Sequence, residues 1–260
     1  MTQRTRETAR RDRQVVEIAS LVVAGQRARA VGLALEHIAE FPGDAEVLSC
    51  VAPTSNVTRE PQEVSAMVAA APLDRIDWPV RTERLTLRTA TPDDAEATWQ
   101  FRTLESVNLW ITRGTSTLEE YRTAFDDPSS LAKTLIVERE RQVIGDLMLA
   151  VEDGWGQAEV ADQARGVQAD LGWVLNPDHA GRGYASEGVR ALIRLCFEEL
   201  RLRRVTASCF ADNESSWRLM ERVGMRRESY NVADSLHRSG RWLDSVTYAL
   251  LSTEWSSAGC

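Results

Sequence analysis

The sequence is poor in histidine and cysteine, with three of the first and four of the second among 260 residues. Three histidines are too few to suggest a His-based metal site or a nucleophile triad. The cysteines, Cys50, Cys196, Cys209 and Cys260, fall at no metal-ligand spacing. Cys196 and Cys209 lie inside apolar runs and read as small core residues in a reducing compartment. No metal is therefore expected. Long apolar runs are missing as well. A membrane span needs roughly 20 such residues, whereas the stretch from Ile18 to Ala24 is short, follows Glu17 and lacks a cleavage-site pattern. The expectation is a cytoplasmic protein with no membrane partner. Positive charge is outnumbered: 31 Lys and Arg against 39 Asp and Glu give a formal net charge of −8. Residues 1–75 hold 9 of the basic and 10 of the acidic side chains, so −7 falls on the remainder. Such a domain is a poor match for nucleic acid and a fair one for a cationic amine, although a plain soluble surface has the same balance.

Hydrophobic residues make up 43% and charged residues 27%, enough for one full core and an appendage. The arginines at positions 4, 6, 10, 11 and 13 are diluted by Glu7 and Asp12, and read as a solvated tail or helix end. From Gln14 to about Glu40 the apolar spacing is helical, with Gly25 between two helices and Phe41-Pro42-Gly43-Asp44 as a stop. The string Ala34–Leu48 resembles the junction between two tetratricopeptide repeats. A single copy cannot bury the faces of a solenoid, so a small helical hairpin or a truncated remnant is expected. Pro53, Pro61, Pro72 and Pro79 punctuate the next stretch of chain. The expected division is a helical extension over 1–50, a Pro-rich linker over 51–80, a main domain over 81–254 and a tail over 255–260.

In the main domain Leu85 and Leu87 alternate with polar residues as a strand does, and Thr91-Pro92-Asp93-Asp94 has the N-cap, early proline and acids of a helix start. A helix is expected over about 118–125, then an antiparallel pair of strands turning at Glu140-Arg141. A polar loop over 152–166 leads to the strand 170–175, and after it come helix 184–200, strand 203–210, helix 214–223 and strand 245–251. This order predicts an α+β fold with a mixed, mostly antiparallel sheet flanked by helices.

The chemistry concentrates in Asp170-Leu171-Gly172-Trp173-Val174-Leu175-Asn176-Pro177-Asp178-His179-Ala180-Gly181-Arg182-Gly183-Tyr184-Ala185. A strand ends at a proline, a two-glycine turn comes next, and a helix with the apolar face Ala185, Val189, Leu192, Cys196, Leu200 opens at once. Glycines admit close backbone approach, and the unpaired N–H groups and dipole of a helix start attract phosphate. It is neither a Walker loop nor a dinucleotide fingerprint, because the lysine of the one and the three-glycine spacing of the other are absent.

This run resembles the acetyl-CoA-binding signature of the GNAT N-acetyltransferase superfamily, Arg/Gln-x-x-Gly-x-Gly/Ala. Gly183 and Ala185 match its small positions, and Ala180 stands where Arg or Gln would be. The later run Val205–Met225 resembles the family's second cofactor segment, a strand leading to an Asn and then a helix ending in Gly. The ordered set over about 81–254 looks most like the RimJ/RimL-like branch of ribosomal-protein N-terminal acetyltransferases. The resemblance implies a GNAT-like sheet and direct acetyl transfer from acetyl-CoA to a primary amine such as a peptide N-terminus. It implies cofactor binding by Leu171, Trp173, Val174, Gly181, Arg182, Gly183, Tyr184, Ala185, Ser186 and Asn213. It implies catalytic roles for Asp170, where many relatives have Glu as a proton relay, and for Ser216 as proton donor. The donor tyrosine of other relatives would fall at Met220. A small-molecule acceptor (an aminoglycoside or polyamine) stays open, as do a degenerate acyl-CoA-sensing module and the oligomeric state, a homodimer included. The loops 106–132 and 228–243 are where acceptor specificity is expected.

Overall fold

The computed structural model describes residues 72–114 and 117–255, together with Gln14, Val15, Ile18, Leu33, Ala34, His37 and Phe41. The chain divides into two compact units, Met1–Ser65 and Ala66–Cys260. In the first unit Gln14, Val15, Ile18, Leu33, Ala34 and His37 are helical, and Ile18, Ala34 and His37 are buried. His37 Nδ1 lies 2.9 Å from Gln14 Oε1, and its ring packs 5.1 Å from that of Phe41. The other positions of the expected extension, and residues 51–71 of the expected linker, lie outside the described residues.

The second unit is built on eight strands: β1 (Val80–Arg81), β2 (Thr86–Thr89), β3 (Thr134–Arg139), β4 (Gln142–Glu152), β5 (Gln168–Leu175), β6 (Arg204–Phe210), β7 (Arg226–Leu236) and β8 (Trp242–Leu251). They form one sheet in the order β1-β2-β3-β4-β5-β6-β8-β7. Every neighbouring pair is antiparallel except β5 and β6. This is the expected mixed, mostly antiparallel architecture. The helices are α1 (Ala95–Arg102), α2 (Leu118–Phe125), α3 (Tyr184–Arg194) and α4 (Glu214–Arg222), with single turns at Glu105–Asn108 and Pro128–Leu131.

Strand alternation sorts the sheet's side chains onto two faces. Leu147, Leu149, Leu171, Val205 and Ala207 join Val189 and Leu192 of α3 in the main core. On the other face Ile136 packs with Ala95 of α1 and with Tyr121 and Phe125 of α2. Helix α1 begins as the sequence predicts. The Thr91 N–H donates to Asp94 Oδ2 at 2.8 Å, and the Arg88 guanidinium forks onto both Asp94 oxygens at 2.8 and 2.6 Å. Leu73 and Ile76, in the stretch read as the end of a linker, are buried in the main core. At the other end Trp255 packs 5.7 Å from Phe197. The region 228–243, expected as a loop, is mostly the hairpin of β7 and β8. Most of β7 is exposed, so its side chains lack the apolar alternation that marks a strand in sequence.

The feature that positions the site is a failure of pairing. The parallel ladder holds only for Gln168↔Arg204, Ala169↔Val205 and Asp170↔Thr206. Beyond Asp170 the two strands part, β5 staying with β4 and β6 staying with β8. A wedge opens between them.

Candidate active site

Backbone polarity in the wedge arises from alternation. The Asn176 N–H donates to the Ile144 carbonyl at 2.8 Å, while the Arg203 N–H donates to the Val167 carbonyl at 2.7 Å. Even-numbered residues of β5 therefore turn their backbone groups towards β4, and odd-numbered ones towards β6. Past the last rung Leu171, Trp173 and Leu175 face the gap, with no sheet partner there.

The turn into α3 lies beside this wedge. Gly181 and Gly183 have φ of 72° and 82°, a left-handed conformation that glycine adopts without strain. A Cβ on Gly181 would meet no heavy atom within 4 Å, so the turn faces open space. No side chain caps α3, and its first backbone bond runs from the Glu187 N–H to the Gly183 carbonyl. The N–H groups of Tyr184, Ala185 and Ser186 are left as orphan donors of a helix start. Glu187 ties this turn to the chain before β2: it accepts from Thr82 Oγ1 at 2.6 Å, from the Arg84 N–H at 2.8 Å and from Arg84 Nε at 2.7 Å. Burial works to raise the Glu187 carboxyl, but these donors outweigh it and hold it below its usual range. Arg84 also donates to the Arg182 carbonyl at 3.0 Å and lies 4.8 Å above the Tyr184 ring.

A cavity of about 1190 Å³ opens here, bounded by β5, the turn, α3, α4 and the segment after α1. Of the residues expected to bind cofactor, Trp173, Val174, Gly181, Gly183, Tyr184, Ala185, Ser186 and Asn213 line it, as does Ser216. Three expected residues do not. Leu171 is 3% exposed and belongs to the core, since its side chain points to the face that α3 covers. The Arg182 side chain lies outside the wall, and its carbonyl is held by Arg84. Asp170 sits at the last parallel rung, where Thr206 Oγ1 donates to its Oδ1 at 3.3 Å. Burial first, then Glu152, push the Asp170 carboxyl above its usual value. Asn213 is the N-cap of α4, with Oδ1 accepting from the Ser216 N–H at 3.3 Å and from Ser215 Oγ at 2.9 Å. Met220, one turn beyond Ser216, is 1% exposed and belongs to the core.

Sequence reasoning missed much of the wall's charge. Arg81, Arg84, Arg190, Arg194, Arg218 and Arg222 line the cavity against only Glu83 and Glu187. In a chain of net charge −8, this cavity is basic. The acidic balance that favoured a cationic ligand therefore describes the surface at large rather than this site, which suits an anion. Arg190 and Arg194 sit four apart on α3, as do Arg218 and Arg222 on α4, and that spacing was the available signal. On the acceptor side Ser106, Val107, Trp110 and Ile111 complete the wall. Trp110, Phe210 and His237 pack as one aromatic cluster, with centroids 5.3 to 6.4 Å apart, and His237 Nε2 lies 3.0 Å from the Leu109 carbonyl.

A mixed sheet wedged open beside an uncapped, glycine-led helix start defines an acyl-CoA-dependent transferase fold. The comparisons agree. The acetyltransferase (GNAT) domain model matches residues 84–226, and the chain belongs to this family of N-acetyltransferases. It is 29% identical over 181 residues to the uncharacterized N-acetyltransferase YnaD of Bacillus subtilis, covering 68% of this chain and 99% of that one. A crystal structure of a GNAT-family acetyltransferase from Bacillus anthracis superposes with a TM-score of 0.58 at 31% identity, over 68% of this chain and 99% of that one. Over 86 residues the chain is 30% identical to the [ribosomal protein uS5]-alanine N-acetyltransferase of Escherichia coli, which is 33% of this chain and 44% of that enzyme.

Proposed function

We propose that this protein transfers an acetyl group from acetyl-CoA directly to a primary amine, with a protein or peptide N-terminus as the acceptor. The observation that carries the donor is the cavity itself: left-handed glycines, orphan N–H groups and an arginine-rich wall fit a pyrophosphate-bearing ligand. Acetyl-CoA supplies an activated thioester carbonyl.

The chain's own groups then divide the work. The turn Gly181–Gly183 and the first turn of α3 bind phosphate, and Asn213, Trp173 and Val174 flank the acyl-bearing arm. The Trp173 N–H faces the wedge and donates to the acyl oxygen as charge builds there, a role worth roughly 10²–10³ in rate. Asp170, set back from the cavity wall, takes a proton from the acceptor ammonium through water and so frees the amine to attack; its raised carboxyl is a better base than an ordinary one. Ser216 returns a proton to the departing sulfur from the cavity wall.

The acceptor assignment rests on the partial match to a ribosomal-protein alanine acetyltransferase. It is tested by offering peptides with different N-terminal residues beside spermidine and an aminoglycoside, with acetyl-CoA as donor, and following free thiol release. Peptide turnover supports the reading. Turnover of the small amines alone would make this a small-molecule acetyltransferase, and thioester binding without any turnover would make it an acyl-CoA sensor.

A further inference from the structure

The position where relatives carry an Arg or Gln side chain before the glycine turn is Ala180, which lines the cavity but offers no donor of its own. The missing charge has a substitute. Arg222, the last residue of α4, reaches across to the first turn of α3, where its Nη1 donates to Ser186 Oγ at 3.0 Å. Ser186 is 3% exposed, so this acceptor is fixed within the packed helix start. Arg190 closes the arrangement by donating from Nη2 to the Arg222 carbonyl at 3.0 Å. Both arginines line the cavity.

Their partners decide what they can do. Arg218 of α4 is matched to Glu214 at 2.8 Å, and Arg194 of α3 to Glu198 at 3.9 Å. Among the described residues Arg190 and Arg222 have hydrogen bonds to neutral oxygens only, and no carboxylate within salt-bridge distance. Their charge is therefore uncompensated and directed at the cavity. A guanidinium held by one neutral hydrogen bond keeps its remaining donors in a planar fork that matches a phosphate. Holding it in place beforehand also removes part of the entropy cost of binding.

We propose that Arg222, braced by Arg190, supplies the pyrophosphate contact that position 180 lacks. Recognition of the cofactor's diphosphate in this chain then runs from the end of α4 as well as from the turn before α3. This rests on the acetyl-CoA reading above and goes beyond it by naming which residues select a phosphorylated cofactor.

The test is calorimetric titration of CoA, 3′-dephospho-CoA and pantetheine into the full chain and its variants, with unfolding temperatures checked in the absence of ligand. Arg222→Met should weaken CoA and dephospho-CoA alike, by roughly ten- to a hundredfold, the loss expected for one charge-assisted hydrogen bond. Pantetheine, which lacks the diphosphate, should bind both proteins equally. Arg190→Met should weaken CoA in the same direction but less. Arg165→Met, which removes an ion-paired arginine away from the cavity, should change it by less than about threefold. Adding Ala180→Arg to Arg222→Met should restore most of the lost affinity. Equal CoA affinity in the wild type and Arg222→Met overturns the assignment. So does a loss seen with CoA but not with dephospho-CoA, which would place Arg222 on the 3′-phosphate. A wild-type chain that binds no CoA would instead overturn the acetyl-CoA reading itself, and this assignment with it.

Discussion

Replacing Arg102 by Met should destabilise the protein more than most single changes. Arg102 of α1 crosses to β4, where its Nε donates to Asp146 Oδ2 at 2.9 Å and its Nη2 reaches Oδ1. The Asp146 side chain is 4% exposed, and Arg102 is its sole hydrogen-bond partner among the described residues. Burial works to lower the Arg102 guanidinium, and the carboxylate outweighs it, so the charged arginine is favoured. Arg102→Met keeps much of the side-chain length but leaves a buried carboxylate unpaired, which costs about 3–5 kcal/mol. For a unit of this size each kcal/mol moves Tm by roughly 2–4 °C, so a fall of about 6–20 °C is expected. Asp146 lies opposite Val174 in the β4–β5 register, and Val174 lines the cavity, so the same ion pair supports the floor of the site. The double variant Arg102→Met, Asp146→Leu removes both charges and should recover to within about 1 kcal/mol of wild type, because an apolar pair replaces a buried ion pair at little cost. Thermal and urea unfolding of wild type, Arg102→Met, Asp146→Leu and the double variant completes the cycle. A single variant that loses less than about 1 kcal/mol, or a double variant no better than the single, would refute the argument.

Gly183→Val forces a β-branched residue to φ near 82° and places a Cβ 3.4 Å from Arg84 Nη2, so stabilisation by acetyl-CoA should vanish in thermal unfolding while the chain still folds; a normal shift would put the phosphate cradle elsewhere. If Asp170 is the base, the acid limb of kcat/KM should lie above the ordinary carboxylate range of about 4, and Asp170→Asn should lower turnover by about 10²–10⁴ and abolish that limb; an unchanged profile would remove Asp170 from the chemistry. Burial works to raise the Asp94 carboxyl, but the Arg88 fork and Thr91 hold it below its usual range. Its stabilisation should therefore be complete above about pH 4 and lost as pH falls through the folded value, so the gap in urea midpoint between wild type and Asp94→Asn should close in acid; a gap independent of pH would contradict this. Glu140 and Arg141 form the β3–β4 turn with φ of 52° and 68°, and Arg141→Gly should raise stability by about 1 kcal/mol; a fall in Tm would show that the Arg141 side chain contributes more than its backbone costs.

The parts of the fold that were legible in the sequence are those whose signal is local. Thr91 and Asp94 bond to each other just ahead of α1, the Asp94 carboxylate accepting from the Thr91 N–H and hydroxyl, and the left-handed turn before α3 needs the glycines written at 181 and 183. The wedge was not legible as geometry, because where a parallel ladder ends depends on which neighbours β5 and β6 keep. Strand β7 was missed because its side chains are mostly exposed and its identity comes from pairing with β8. Leu171 was placed in the site by its position in a matching segment, yet alternation sends its side chain to the core and leaves only its backbone facing the gap. Arg190 and Arg222 went unnoticed because they meet across two helices that are 20 residues apart in the chain at their nearest ends.

The central claim is that the turn before α3 and the basic wall around it hold acetyl-CoA. Thermal unfolding with and without acetyl-CoA tests it most directly. At about 100 times its dissociation constant the ligand should add roughly 2.7 kcal/mol, which corresponds to a rise of about 5–11 °C in Tm. An unfolding temperature that does not move at saturating acetyl-CoA would contradict the account.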